Sequence, residues 1–307
     1  MAAIDAILQE LAAAKGRIAP AKLTQLSGLS SEELPAFQKA WDKMGLPQKK
    51  AVIATLTEMA EDNVELDFFP IFKLTLNDDD EDIRIESIEG LWECEERALL
   101  TPLIRLLTVD SSANVRAAAA QALGRFAFLA ETGKLLERDG RRIADALLET
   151  IDSEFESTDV RRRAIEALAA MSHERVPELI QETYESADVK VKASALYAMG
   201  RTCDPRWLPQ LIDETANRQA ELRYEAVSAL GEIGDDKAIT HLLPMIDDPD
   251  SEVQAAAIAA LGKIGGPVAK KALTRTMQRP EAHIQELAQS ALETMDEFDP
   301  PLFERRN

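Results

Sequence analysis

Cysteine is almost absent from this chain: of 307 residues, only Cys94 and Cys203 carry thiols. They stand far apart, which excludes a disulfide framework or a thiolate metal site and leads us to expect reduced thiols in a cytoplasmic setting. Histidine is nearly as scarce, with His173, His241 and His283 widely separated, so clustered imidazole ligands are excluded. Aromatic residues make up 5% of the chain. Basic charge is in deficit, with 35 Lys and Arg against 55 Asp and Glu and a formal charge of −20. Nucleic acid and anionic membrane need clustered Lys and Arg, so the expected partner is a protein or peptide, neutral to basic. No run reaches 18 apolar residues, and the opening M-A-A-I-D-A-I-L-Q-E-L carries Asp5 and Glu10 with no basic segment. Neither a spanning helix nor a signal peptide is expected from it.

What the chain has in abundance is one phased unit. In Glu252–Gly265, Val253, Ala257, Ala260, Leu261 and Ile264 fall on one narrow helical face. Gly262 and Gly265 are expected to loosen the end of that helix. The frame marked by Val253 recurs at Val160, Val191, Leu222 and Ile284, each step 31 residues, and upstream at Val115, Ile83 and, more weakly, Val52. Only the step from Val115 to Val160, at 45, is irregular. An apolar-periodic helix precedes each copy, as in Trp207–Asp213. Pro70, Pro102, Pro177 and Pro209 recur within these helices, as a kink or a first-turn residue. Asp78, Asp110 and Asp248, five residues before their frame positions, are expected to cap the second helix of each pair.

A fixed period whose unit cannot bury its own apolar face means a stacked solenoid. The fold class is therefore all-α: an α-solenoid of about eight stacked antiparallel helix pairs. The recurring D-x-x-x-x-V-R-x-x-A-x-x-A-L-G resembles HEAT repeats, and its short period is similar to the HEAT-like units of phycobilin lyase type proteins. The resemblance covers about Leu46–Met295. It implies that the second helices line a concave side. It also implies two functions: a non-catalytic scaffold gripping a protein or peptide, or a phycobilin lyase-like subunit or chaperone acting on a tetrapyrrole-carrying protein.

Residues 1–45 read as an N-terminal helical cap. Within it Ala3–Lys15 is amphipathic, and Ser30 and Glu33 form a capping box before Leu34, Phe37, Trp41 and Met44. Residues 46–295 are the repeat solenoid, and 296–307 a tail with Pro300-Pro301, in which Phe298, Leu302 and Phe303 fold back or dock elsewhere. Near 125–140 the ladder is interrupted by a lengthened connection, an extra helical turn, or an arm that touches a client.

Sites of chemistry are scarce. The resemblance takes in deoxyhypusine hydroxylase, whose di-iron site uses repeated His-Glu pairs, yet His173-Glu174 is the one such pair here, so no metal is expected. Asp78, Asp80, Asp82 and Glu89 mimic a calcium loop, but Ile83 stands where that loop needs glycine. Gly262–Lys271 lacks the phosphate-loop pattern, and no Ser, Cys or Thr has a base and an orienting acid at recurring spacing. No catalytic residue and no cofactor are expected.

Two recurring features remain. A base follows the frame residue at Arg84, Arg116, Arg161, Lys192 and Arg223, becoming Gln254 and Gln285 further on. It reads as a ladder joining turn acids of adjacent repeats rather than as a ligand stripe. On the outer face of the second helices, Ile85, Trp92, Gln121, Arg162, Tyr197 and Tyr224 stand among small residues. Aromatic anchors of this kind are what interfaces enrich, so these six are the candidate binding face.

Overall fold

The computed structural model describes residues 7–11 and 19–298, the side chains of the last three aside. All regular structure among them is helical, and the chain divides into two compact units, Met1–Ala164 and Ile165–Asn307. Among the described residues no helix is long and apolar enough to cross a membrane.

In the first unit, residues 7–11 are helical (α1), with Ile7, Leu8 and Leu11 buried. The rest of the predicted Ala3–Lys15 helix lies outside the described residues. Then come α2 (Pro20–Leu23), α3 (Leu34–Trp41) and α4 (Leu46–Asp62). Glu33 accepts from both the amide (3.0 Å) and the hydroxyl (2.7 Å) of Ser30, and Phe37, Trp41 and Met44 are buried as the pattern requires. Two pairs follow: α5 (Phe69–Thr75) with α6 (Glu81–Glu89), and α7 (Leu100–Val109) with α8 (Ala113–Glu131). Next is α9 (Glu137–Asp152), and α10 (Thr158–Leu168) runs across the boundary between units. The irregular step is spent on helix: α8 has 19 residues and α9 has 16. Between them Gly133, at φ +74°, makes the left-handed turn that a side chain would strain.

The second unit continues with α11 (Val176–Tyr184), α12 (Val189–Arg201), α13 (Leu208–Glu214), α14 (Ala220–Ile233) and α15 (Ile239–Leu242). It ends with α16 (Ser251–Ile264), α17 (Gly266–Thr276) and α18 (Ala282–Phe298). Pro177, Pro209 and Pro267 all sit in the first turn of their helices, where proline's missing N–H costs nothing. Second helices stack directly, α12 on α14, α14 on α16 and α16 on α18.

The core is the predicted seam. Ile83, Val115, Val160, Leu222, Val253 and Ile284 are buried, as are the alanines four residues on, Ala119, Ala164, Ala226, Ala257 and Ala288. Val191 is half-buried. At about 25 cal/mol per Å² of apolar surface, burying one such valine or leucine contributes roughly 1.5–3 kcal/mol, and each pair adds several.

Two local expectations need correcting. The carboxylates that cap second helices lie three residues before the frame, not five: Asp80, Asp188 and Asp250 each accept from the amides two and three residues further on. An N-cap oxygen reaches the amides two and three residues on, and the earlier acids stand too far back. Gly262 does not loosen α16, which continues to Ile264. A side chain there would meet Ala291, its Cβ falling 2.8 Å from the Ala291 carbonyl oxygen and 2.9 Å from its Cβ. Gly200 meets Ala229 and Gly231 meets Ala260 in the same way, so the glycine exists to let helices touch backbone to backbone.

Candidate functional site

The recurring base forms the predicted ladder at Arg84, Arg116, Lys192 and Arg223, while the fifth base, Arg161, stands exposed. Arg84 donates both arms of its guanidinium to Asp110 at 2.8 Å and a third hydrogen bond to the Asp78 carbonyl. Arg116 does the same with Glu156 (2.7 and 2.9 Å) and the Asp110 carbonyl (2.7 Å). Arg223 pairs with Asp248 (2.8 and 2.7 Å) and the Asn217 carbonyl (2.9 Å). Each base thus closes its own turn and grips the next. Lys192, a point charge without the fork, bonds Glu214 at 2.5 Å, and its ammonium lies 4.5 Å from the Tyr184 ring centre.

These partners leave their mark on protonation. Arg223 beside Asp248 and Arg116 beside Glu156 hold both carboxyls below their ordinary range. Burial pushes Glu214 up, but hydrogen bonds from Lys192, Tyr184 and Asn217 outweigh it and hold the carboxyl low. The carboxylates resembling a calcium loop are taken by lysines: Lys49 bonds Asp78 at 2.9 Å, and Lys50 bonds Asp80 at 3.0 Å and Asp82 at 2.6 Å. His173 accepts from the Arg175 amide at 3.3 Å as a turn residue. Among the described residues no three His, Cys, Asp or Glu side chains converge to hold a metal.

The outer face is the other candidate. Within the first unit Ile85 is half-buried and Gln121 exposed. Trp92 is 68% exposed, but α6 ends at Glu89, so the ring stands in the following turn and not on the helix. Arg125 holds it there, its guanidinium 5.4 Å from the ring centre, while also donating to the Trp92 carbonyl and to Glu95. Arg162 is half-buried and donates to Asp159 at 2.7 Å. Glu89, the last residue of α6, has its carboxyl pushed up by partial burial and by the charges of Glu86 and Glu61.

Within the second unit Tyr197 is 43% and Tyr224 39% exposed. Burial pushes the Tyr197 phenol up. Tyr224 opens a groove of about 560 Å³ floored by Ala255, Ala256 and Ala259 and closed by Lys263 and Leu287. Two slots on the same helical face, Glu166 and Ala193, are instead buried, the first accepting from the Ser194 hydroxyl. Lys263 and Leu287 lie outside the repeating slots that sequence spacing can mark, and so does Arg125.

Comparison with known proteins gives one family. A family model described as HEAT repeats matches residues 70–138 and 208–293, just over half of the chain, and one described as PBS lyase HEAT-like repeat matches residues 160–186. No curated protein sequence matches. Among solved structures, a chain in the complex of CpcE and CpcF of phycocyanin lyase from Nostoc sp. PCC7120 is 17% identical with a TM-score of 0.55, covering 93% of this chain and 97% of that one. A chain of the Kap95:Nup1 complex is 12% identical with a TM-score of 0.50, over 96% of this chain and 46% of that one. Human deoxyhypusine hydroxylase is 17% identical with a TM-score of 0.38, over 96% of both.

Proposed function

Since the chain belongs to the HEAT-repeat family, we propose that it is a non-catalytic scaffold whose second-helix face holds a neutral to basic protein or peptide, with residues 1–45 as the cap of the stack. The observation that carries this reading is the open groove beside Tyr224, walled by small side chains and flanked by a second exposed tyrosine on the neighbouring helix α12. Alanine floors let a partner's backbone come close, and tyrosines supply large contact area at low entropy cost. A formal charge of −20 speeds encounter with basic partners.

The test begins with affinity capture from the native source and identification of the partner by mass spectrometry. The variant Tyr197→Ala/Tyr224→Ala should then weaken the purified pair at least about tenfold, the loss of one or two anchor residues. Unchanged affinity removes this face from the function.

A second reading, a phycobilin lyase-like role, is favoured by the repeat type matched at residues 160–186. It predicts that the purified chain takes up a bilin and gains visible absorbance. A colourless mixture counts against it.

A further inference from the structure

At the turn edge of the first unit two large apolar side chains are exposed, Val109 and Phe155. Where a ladder acid is present it sits at or shortly after the end of the first helix of its pair, and the residue just before it has a fixed place beside the ladder. Before Asp78 this residue is Asn77, which accepts from Arg105; before Glu214 and Asp248 it is Asp213 and Asp247. At the two positions in between it is apolar: Val109, the last residue of α7, precedes Asp110, and Phe155 precedes Glu156. Val109 is 71% exposed and Phe155 99% exposed. The same position in neighbouring pairs is polar, so the repeat does not require these side chains.

Both are held firmly. Asp110 is gripped by both arms of Arg84, and Glu156 by both arms of Arg116. Arg116 also donates to the Asp110 carbonyl at 2.7 Å, so one guanidinium ties the two turns together. The Ser157 amide donates to Glu156 at 2.6 Å. Two apolar side chains, one at the end of α7 and one in the turn after α9, presented on backbone already ordered avoid the entropy cost of fixing a loop at docking. Beside Val109 a cleft of about 380 Å³ opens between turns, lined by Leu76, Leu106 and Arg105.

We propose that this edge docks a partner protein through an apolar patch rimmed by Lys or Arg, with Phe155 and Val109 as the anchors. The charge argues for the basic rim. Arg84 and Arg116 are each matched by a carboxylate, while Asp79, Glu81 and Glu154 are exposed around the anchors and outnumber the one exposed base there, Arg105, which bonds neutral Asn77. An acidic edge of this kind repels an anionic bilayer. The edge belongs to the first unit and Tyr197 and Tyr224 to the second, and the proposal does not rest on the tyrosines.

The experiment uses the full chain and three probes: a fluorescent amphipathic Leu/Lys helix peptide, its Leu/Glu counterpart, and phosphatidylcholine vesicles. Anisotropy should show the Leu/Lys peptide binding, at least about tenfold more weakly to Val109→Ser/Phe155→Ser, and unchanged for Tyr197→Ala/Tyr224→Ala. The substituted side chains are exposed, so thermal unfolding of the serine variant should match the parent. Equal affinity for parent and serine variant overturns the proposal. So does preferential Leu/Glu binding, or vesicle binding abolished by the same substitutions. Self-association of the parent that the serine variant loses would assign the edge to a second copy of the chain and overturn it too.

Discussion

Gly231 lies inside α14, where alanine is ordinarily the better residue by about 1 kcal/mol. Here the sign inverts. An added Cβ would fall 2.8 Å from both the Cα and the Cβ of Ala260, and backbone cannot swing aside as a side-chain tip can. Gly231→Ala should therefore destabilise the protein by roughly 1–3 kcal/mol, read as a lower urea midpoint. A midpoint at or above the parent's would mean the helices do not meet this closely. The frame glycines were visible in the sequence at a 31-residue spacing, but their purpose was not. A glycine near a helix end reads as a terminator from local rules, and only the neighbouring helix reveals that it is a contact. Cys203 is the converse case. It occupies the slot of Gly234 and Gly265 at φ +50°, a left-handed conformation that the bare sequence could not assign to a cysteine.

At the level of the helix pair, the ladder was legible because it repeats. Arg84, Arg116 and Arg223 recur at one offset, and a repeated base beside repeated turn acids has few other uses. The acceptors were less so: Glu156 and Glu214 lie at other offsets from their frames than Asp110 and Asp248 do. The change to Gln254 also makes sense in three dimensions. Its amide keeps the bond to the Asp248 carbonyl at 2.8 Å, but 31 residues past Asp248 stands Arg279, which turns back to pair with Asp247 at 2.6 Å. With no acid ahead, a guanidinium would have nothing to grip. The chain has changed both partners together, and that can be copied. Arg223→Gln alone leaves Asp248 buried without its counter-ion and should cost about 2–3 kcal/mol. Adding Asp248→Asn keeps the turn bond to the Asp250 amide and removes the stranded charge, so the double variant should recover at least half of that loss. Strict additivity of the two changes in urea unfolding would show that the rung is not a coupled pair.

For the whole molecule, charge sets a pH dependence with two opposing parts. A formal charge of −20 makes the folded chain repel itself at neutral pH, and Glu89 adds to this because burial and its neighbours hold its carboxyl above the ordinary range. A raised carboxyl contributes stability below its unfolded value and loses it as pH rises, so mild acidification relieves strain. The ladder acids work in the other direction. Asp248 and Glu156, held low by their arginines, contribute stability that is complete above the ordinary carboxylate value of about 4 and is lost as pH falls through the lowered folded values. Glu214 and Asp78 behave alike, with hydrogen bonds overcoming burial in each. The melting temperature should therefore stay level or rise slightly from pH 8 to about pH 5, then drop steeply below about pH 4. The two parts separate by substitution and by salt. Raising ionic strength at pH 8 should lift the melting temperature, because exposed repulsion is screened while buried pairs are not. Asp248→Asn should flatten the acid limb, its melting curve approaching the parent's near pH 3. An acid limb as steep in that variant as in the parent would mean that the rung does not set acid stability.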